Sequence, residues 1–250
     1  MLSPEKLHQR IGALRATLQM ELNDVYIWTS FARQALESAR EDGKFLGTKN
    51  FRVPSRTKNK KVDRTPAQLS RIAEKAVNQE IFFSVFVYVV AQVEAFVSDT
   101  LAELLRFDNR RLKTRIKGID HTSKLEVSDL IDAKSREELI EQVIRKELVT
   151  LFYASPMLQM EYLQSVAGIK LPDDLVSKWL ELKATRDIIV HSSGVANALY
   201  LRKAGTLARA SEGEALPMNE GYFGDALASM KSLVGKVASS IQSELKKNAA

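Results

Sequence analysis

The chain has 250 residues, enough for one sizeable domain with an appendage, and its 45% hydrophobic and 27% charged content is that of an ordinary soluble protein. It has no cysteine, which excludes disulfides, thiolate zinc sites and cysteine nucleophiles and suits a reducing interior. Its net charge of +6 is uneven: residues 44–64, KFLGTKNFRVPSRTKNKKVDR, hold eight Lys or Arg against one Asp, a net +7, which leaves −1 for the rest.

The first residues, MLSPEKLHQR, are charged within six positions and lack the apolar core of a secretory signal, so cytoplasm is the expected location. Leu7, Ile11, Leu14, Leu18, Val25, Ala32 and Leu36 keep three-and-four spacing, which predicts a long amphipathic helix over 4–41 within an N-terminal segment 1–43. Such a helix can pack on its own domain or pair with a second copy. Residues 44–64 follow as a basic linker. Its Lys49, Arg52, Arg56, Lys58, Lys60 and Lys61 are candidates for a polyanion, which binds by counterion release, and Phe45 and Phe51 could stack on unpaired bases. A solvated connector has the same composition.

Residues 65–250 read as one helical domain. Thr65-Pro66-Ala67-Gln68 is a helix start with a threonine cap, a proline in the first turn and a reciprocating glutamine. That helix is expected to reach about Phe107, and a bend on the way is compatible with the pattern. Its apolar run, Ile81 to Val97, is short for a membrane span and carries Gln92 and Glu94, which hydrocarbon penalises by a few kcal/mol. A central helix of a water-soluble bundle is therefore expected, with no membrane partner.

A short helix is expected near 109–117. Ser135 opens a helix to about Ala154, and Ser155-Pro156 starts another that Gly168 ends. Asp173 or Asp174 begins the next, which Ser192, Ser193 and Gly194 stop. NALYLRKAGTLARASEGEALPM then alternates weakly, as a short hairpin or extended loop would. Asn219 caps a last helix with Phe223, Ala226, Met230, Val234, Val237, Ile241 and Leu245 on one side. The fold class is all-α: a helical bundle with a long N-terminal helix and a short irregular or hairpin insertion before the C-terminal helix.

Two charged residues fall inside apolar stripes. Arg186 sits at the centre of the row Leu175, Trp179, Leu182, Ile189 and Val190, and Glu94 in the middle of Phe83, Val87, Val90, Leu101 and Leu105. A guanidinium there needs a partner or an opening to solvent. The economical expectation is that Glu94 and Arg186 approach each other, as a site or as a structural ion pair. His191 lies about 140° around the helix from Arg186, so the two do not converge within one straight helix. An imidazole at a helix C-terminus is also favourable without any function. His8 and His121 have no evident partner and are expected at the surface.

Arg186-Asp187-Ile188-Ile189-Val190-His191 resembles the Arg-x4-6-His motif of the HEPN superfamily, and HSSGVANALYL resembles the His-polar-x-Gly-x-x-Asn run of its prokaryotic members. Gly194 and Asn197 fall in matching places, while Ser192 stands where asparagine is frequent. VVAQVEAFVSDTLAELL is similar to the first core helix of these domains, Glu94 included. The resemblance covers roughly residues 80–245.

It implies a metal-independent endoribonuclease with no cofactor. His191 would be general base or acid, and Arg186 would orient the scissile phosphate and stabilise transition-state charge. Asp187 would orient the motif, Ser192 or Asn197 would contact phosphate or cap the helix, and Glu94 would anchor Arg186. The family's sites are usually shared across a homodimer, which would remove the projection problem. A prokaryotic toxin or antiviral effector is implied, with RNA as substrate and an antitoxin or other defence protein as a further partner. Two alternatives stay open: a HEPN module that binds RNA or nucleotide without catalysis, and a helical scaffold whose Arg186 and Glu94 are core ions.

Overall fold

The computed structural model describes residues 3–42, 46–47, 51–56, 60–121 and 125–247. Its architecture is all-α, as the periodicity predicts. α1 spans Pro4–Glu41, with Ser3 accepting from the Lys6 N–H as its N-cap. A two-stranded antiparallel hairpin follows, β1 (Phe51–Val53) paired with β2 (Lys60–Val62), Arg52 opposite Lys61. Thr65 and Gln68 then close the expected capping box at the start of α2, Pro66–Lys75. One π turn, Ala76–Glu80, joins it to α3, Ile81–Phe107. A 3-10 turn covers Asn109–Lys113. The remaining helices are α4 (Val127–Asp132), α5 (Arg136–Tyr153), α6 (Pro156–Ala167), α7 (Asp173–Ser192), α8 (Ala198–Ala204) and α9 (Glu220–Lys247).

α3 is the hub, because α1, α5, α6, α7 and α9 all pack on it. Phe86, Val89, Val90, Val93 and Leu101 have no exposed surface, so the most apolar run of the chain fills the core. The continuous helix Pro66–Phe107 is long and apolar enough to cross a membrane, but half of its most apolar window is buried inside the protein. On α1 the buried face is Leu7, Ile11, Leu18, Leu22 and Val25. It packs against α3 and α9, where Val234, Val237 and Ile241 lie in the same core.

Two expectations about the connections change. A short hairpin lies in the basic segment 44–64, expected as a linker, and the stretch before the last helix, expected as a hairpin or an extended loop, carries a helix. There the chain instead forms α8, a 3-10 turn at Gly205–Leu207, and a single bridge between Val195 and Ala215. Asn197 caps α8 by accepting from the Tyr200 N–H at 2.9 Å, a local bond that wins over weak alternation. α8 and the loop after it bury Ala196, Tyr200, Ala204 and Leu216 against Ala184 and Ile188, a second small core on the far side of α7.

His121 also departs from expectation. It is buried, not at the surface: its Nδ1 lies 2.5 Å from the Glu147 carboxylate, and its Nε2 accepts from the Ile116 N–H at 2.8 Å. Its ring packs on Tyr162, whose hydroxyl pKa is pushed up by burial and by the charge of Glu147. The partners sit in other elements, which a single-helix projection cannot reveal. His8 is half-buried.

Candidate active site

α7 is buried almost all round its middle: Glu181, Leu182, Lys183, Ala184 and Thr185 are consecutive and all buried. A helix sandwiched between two cores has no polar face to set its phase, so the projected stripe is rotated from the real one. Lys183 is the buried cation, with 8% of its side chain exposed. Arg186 retains 29% exposure. Glu94 accordingly pairs with Lys183, and the expected approach of Glu94 to Arg186 is replaced by that bridge between α3 and α7.

Arg186 is held from its own helix. Its Nη1 donates to Asp187 Oδ1 at 3.2 Å, while Asp187 Oδ2 accepts from Lys203 of α8 at 2.8 Å. Burial would raise the Asp187 carboxyl, but the Lys203 hydrogen bond and charge, with help from Arg186 and Lys183, outweigh it and hold the pKa below the usual aspartate value. Asp187 therefore stays ionised and fixes the base of the guanidinium. Among the described residues the Arg186 Nε is buried without a hydrogen-bond partner, while 29% of this permanently charged side chain is exposed.

His191 is exposed in the last turn of α7. The helix ends as the sequence indicates. Ser193 takes the left-handed conformation at φ 51°, and the Gly194 N–H reaches back to the Ile188 carbonyl at 2.9 Å. Gly194 is required twice over: its φ is +79°, and a Cβ would lie 2.6 Å from Cζ of Phe83 on α3. Beyond the turn, the Leu216 N–H donates to the Gly194 carbonyl and the Ala196 N–H to the Glu214 carbonyl, each at 2.8 Å. These bonds staple the 211–217 loop beneath the motif.

Ser192 and Asn197 meet each other, Nδ2 to Oγ at 3.3 Å, and Asn197 is committed to capping α8. Arg56, Lys60 and Lys61 are exposed on or beside the β hairpin, while Lys49, Lys58 and Phe45 lie outside the described residues. Arg52 stands in β1 opposite Lys61. The motif residues and the basic segment thus occupy different parts of the fold.

A concavity of about 460 Å³ opens beside the motif, lined by Phe83, Val87 and Ile189 and by Gln79, Ser193 and the ion pair of Lys75 with Glu80. The π turn supplies Gln79, and such turns inside helices often accompany functional sites. A second groove of about 440 Å³, between α1 and α3, is lined by Glu21, Asp99 and Glu103 together with Arg10 and Arg106.

Behind the motif lies a polar network that sequence reasoning did not find. Arg209 donates to Glu181 at 3.0 Å, to the Thr185 hydroxyl at 3.2 Å and to the Pro217 carbonyl at 2.6 Å, and stacks 3.3 Å over the Tyr222 ring. The Tyr222 hydroxyl donates to Glu181, and burial pushes its pKa up. The one sequence signal was the spacing of Glu181 and Thr185, four apart on the buried stretch, and they bond at 2.7 Å. Nothing in the spacing points to Arg209, 28 residues beyond Glu181.

Compared with known proteins, the chain matches no family model, no curated protein and no solved structure.

Proposed function

We propose that the chain is a metal-independent endoribonuclease of HEPN type, acting in the cytoplasm as a prokaryotic toxin or antiviral effector, with its site completed by a second copy. The observation that carries this reading is the state of Arg186. Its guanidinium is held at one end by Asp187, and 29% of the side chain is open to solvent. A planar, permanently charged fork on a partly exposed side chain matches the oxygens of a phosphate.

His191, exposed on the same helix terminus, supplies the proton-transfer group. In the reaction the RNA 2′-hydroxyl attacks the adjacent phosphorus, giving up its proton to a neutral imidazole. The P–O5′ bond breaks, and the leaving oxygen takes a proton from an imidazolium. The products are a 2′,3′-cyclic phosphate and a 5′-hydroxyl. Arg186 stabilises the charge that grows on the phosphoryl oxygens. Arg186 and His191 lie about 140° apart around α7, a separation that a site shared between two chains' motifs accommodates.

Arg186, partly exposed and not paired with Glu94, is not the core ion that the scaffold reading requires, whereas an exposed His191 at a helix C-terminus fits either reading. A module that binds RNA or a nucleotide without cutting it retains support from the same geometry, because the Arg186 fork grips phosphate whether or not His191 turns over. The basic hairpin and its flanks extend the grip on the polyanion in either case. RNA incubated in excess EDTA with the wild type and with His191→Ala separates them, cleavage by the wild type alone supporting the enzyme.

A further inference from the structure

α1 has a second apolar face. Met20, Ile27, Trp28 and Phe31 are 61%, 60%, 47% and 74% exposed, on the side of the helix opposite the buried Leu18, Leu22 and Val25. Beside it, the outward face of α3 is Ser84, Tyr88, Ala91 and Ala95, all exposed and none charged. The two helices pack side by side and present one continuous, largely apolar layer.

The charges around that layer narrow its occupant. The chain has 37 Lys and Arg, yet none falls between Arg15 and Arg33 on α1 or between Lys75 and Arg106 on the long helix. The charges within those spans are acids, Glu21 and Asp24 on α1 among them. Neither RNA nor an anionic lipid surface is drawn to such a face, so a protein is.

The layer also carries both halves of a joint. Ile27 and Phe31 stand out from α1, and next to them a groove of about 480 Å³ runs between Trp28, Val85 and Tyr88, lined also by Asp24 and by Glu21, which accepts from the Tyr88 hydroxyl. An isologous pair needs one patch with ridge and groove together, so that each copy fills the other. At the ~200 Å² of a large side chain, the exposed parts of Met20, Ile27, Trp28, Phe31 and Tyr88 come to roughly 600 Å² per chain, or about 1,200 Å² for a pair, the threshold of a specific interface. Ser84 lines both this groove and the concavity beside the motif, so the layer runs into the site.

We infer that the outward faces of α1 and α3 form a homodimer interface, with Phe31 and Ile27 of each copy seated in the Trp28–Tyr88 groove of the other. The choice of a second copy rests on the reading of the site as shared between two chains; the face itself rests on its side chains.

The test is the solution mass of the full chain by light scattering, beside Phe31→Glu and Ile27→Asp. Both positions are exposed, so the thermal midpoint should hold. Twice the 28.0 kDa chain mass for the wild type, falling to one chain in both variants, is the expected result. A monomeric wild type, a dimer indifferent to Phe31→Glu, or a wild type recovered with membranes overturns the interface. RNA cleavage is read on the same samples. A dimer through this face that cuts no RNA leaves the interface standing without the ribonuclease, and cleavage by a monomer does the reverse.

Discussion

Glu94 on α3 is ion-paired with Lys183 on α7, one turn before Arg186. The bridge occupies the acid that the projected stripes offer Arg186, and so leaves that guanidinium to Asp187. It ties the core hub to the motif helix, with Lys183 nearly dry at 8% exposure.

Breaking this bridge from one side should be costly. Glu94→Gln leaves a buried ammonium without its counter-charge and should lower stability by about 3 kcal/mol. Glu94→Leu combined with Lys183→Met should recover most of that loss. Urea unfolding of the single and double variants checks both statements.

Arg186 and His191 should behave as functional groups on a stable scaffold. His191→Ala should leave the unfolding midpoint nearly unchanged, since the side chain is exposed. RNA cleavage should fall by ~10²–10⁴-fold, the usual contribution of a positioned acid–base group. Arg186→Lys keeps the charge but loses the planar fork, and should lower kcat more than it raises KM.

Asp187 gives a pH signature. Its pKa is depressed in the folded chain, chiefly because Lys203 and Arg186 outweigh the burial that would raise it. Its contribution is therefore fully present above the pKa of an unfolded aspartate, ~4, and is lost as pH falls through the lower folded value. Asp187→Asn should flatten the acid limb of the stability curve below about pH 4 and leave the slope near neutrality alone. Thermal melts across that range provide the comparison.

Gly194 should tolerate no side chain. Alanine there meets both a φ of +79° and the Phe83 ring at 2.6 Å. A loss of ~3 kcal/mol follows for Gly194→Ala, and Phe83→Leu should relieve the crowding but not the backbone strain. A shift of the motif on α7 should accompany it, seen as reduced cleavage by the folded fraction.

The basic hairpin is tested by salt. Replacing Arg56, Lys60 and Lys61 with Gln should reduce the slope of log affinity for single-stranded RNA against log salt by up to ~0.7 per cation that contacts phosphate. An unchanged slope would assign the segment to connection alone.

What the sequence made legible was local. Thr65 with Gln68, Ser155 with Pro156, and Ser193 with Gly194 mark helix ends correctly because caps and left-handed turns are decided by neighbours within four residues. The π turn at Ala76–Glu80 leaves no comparable local signal. α8 was missed because its capping by Asn197 competes with a weak alternation that resembles strand. The partners of His121, Lys183 and Arg209 were not legible for a different reason. His121 and Arg209 sit in loops and bond to helices distant in sequence, and α7, buried on two sides, carries no amphipathic phase from which to read that Lys183, not Arg186, meets Glu94.

Whether the Arg186–His191 end of α7 cuts RNA without metal is decided by the end groups of mixed RNA incubated in excess EDTA with the wild type and with a folded His191→Ala variant. Ends bearing 2′,3′-cyclic phosphate and 5′-hydroxyl should form with the wild type alone. Equal cleavage by both proteins, or none by the wild type, would contradict this role for α7.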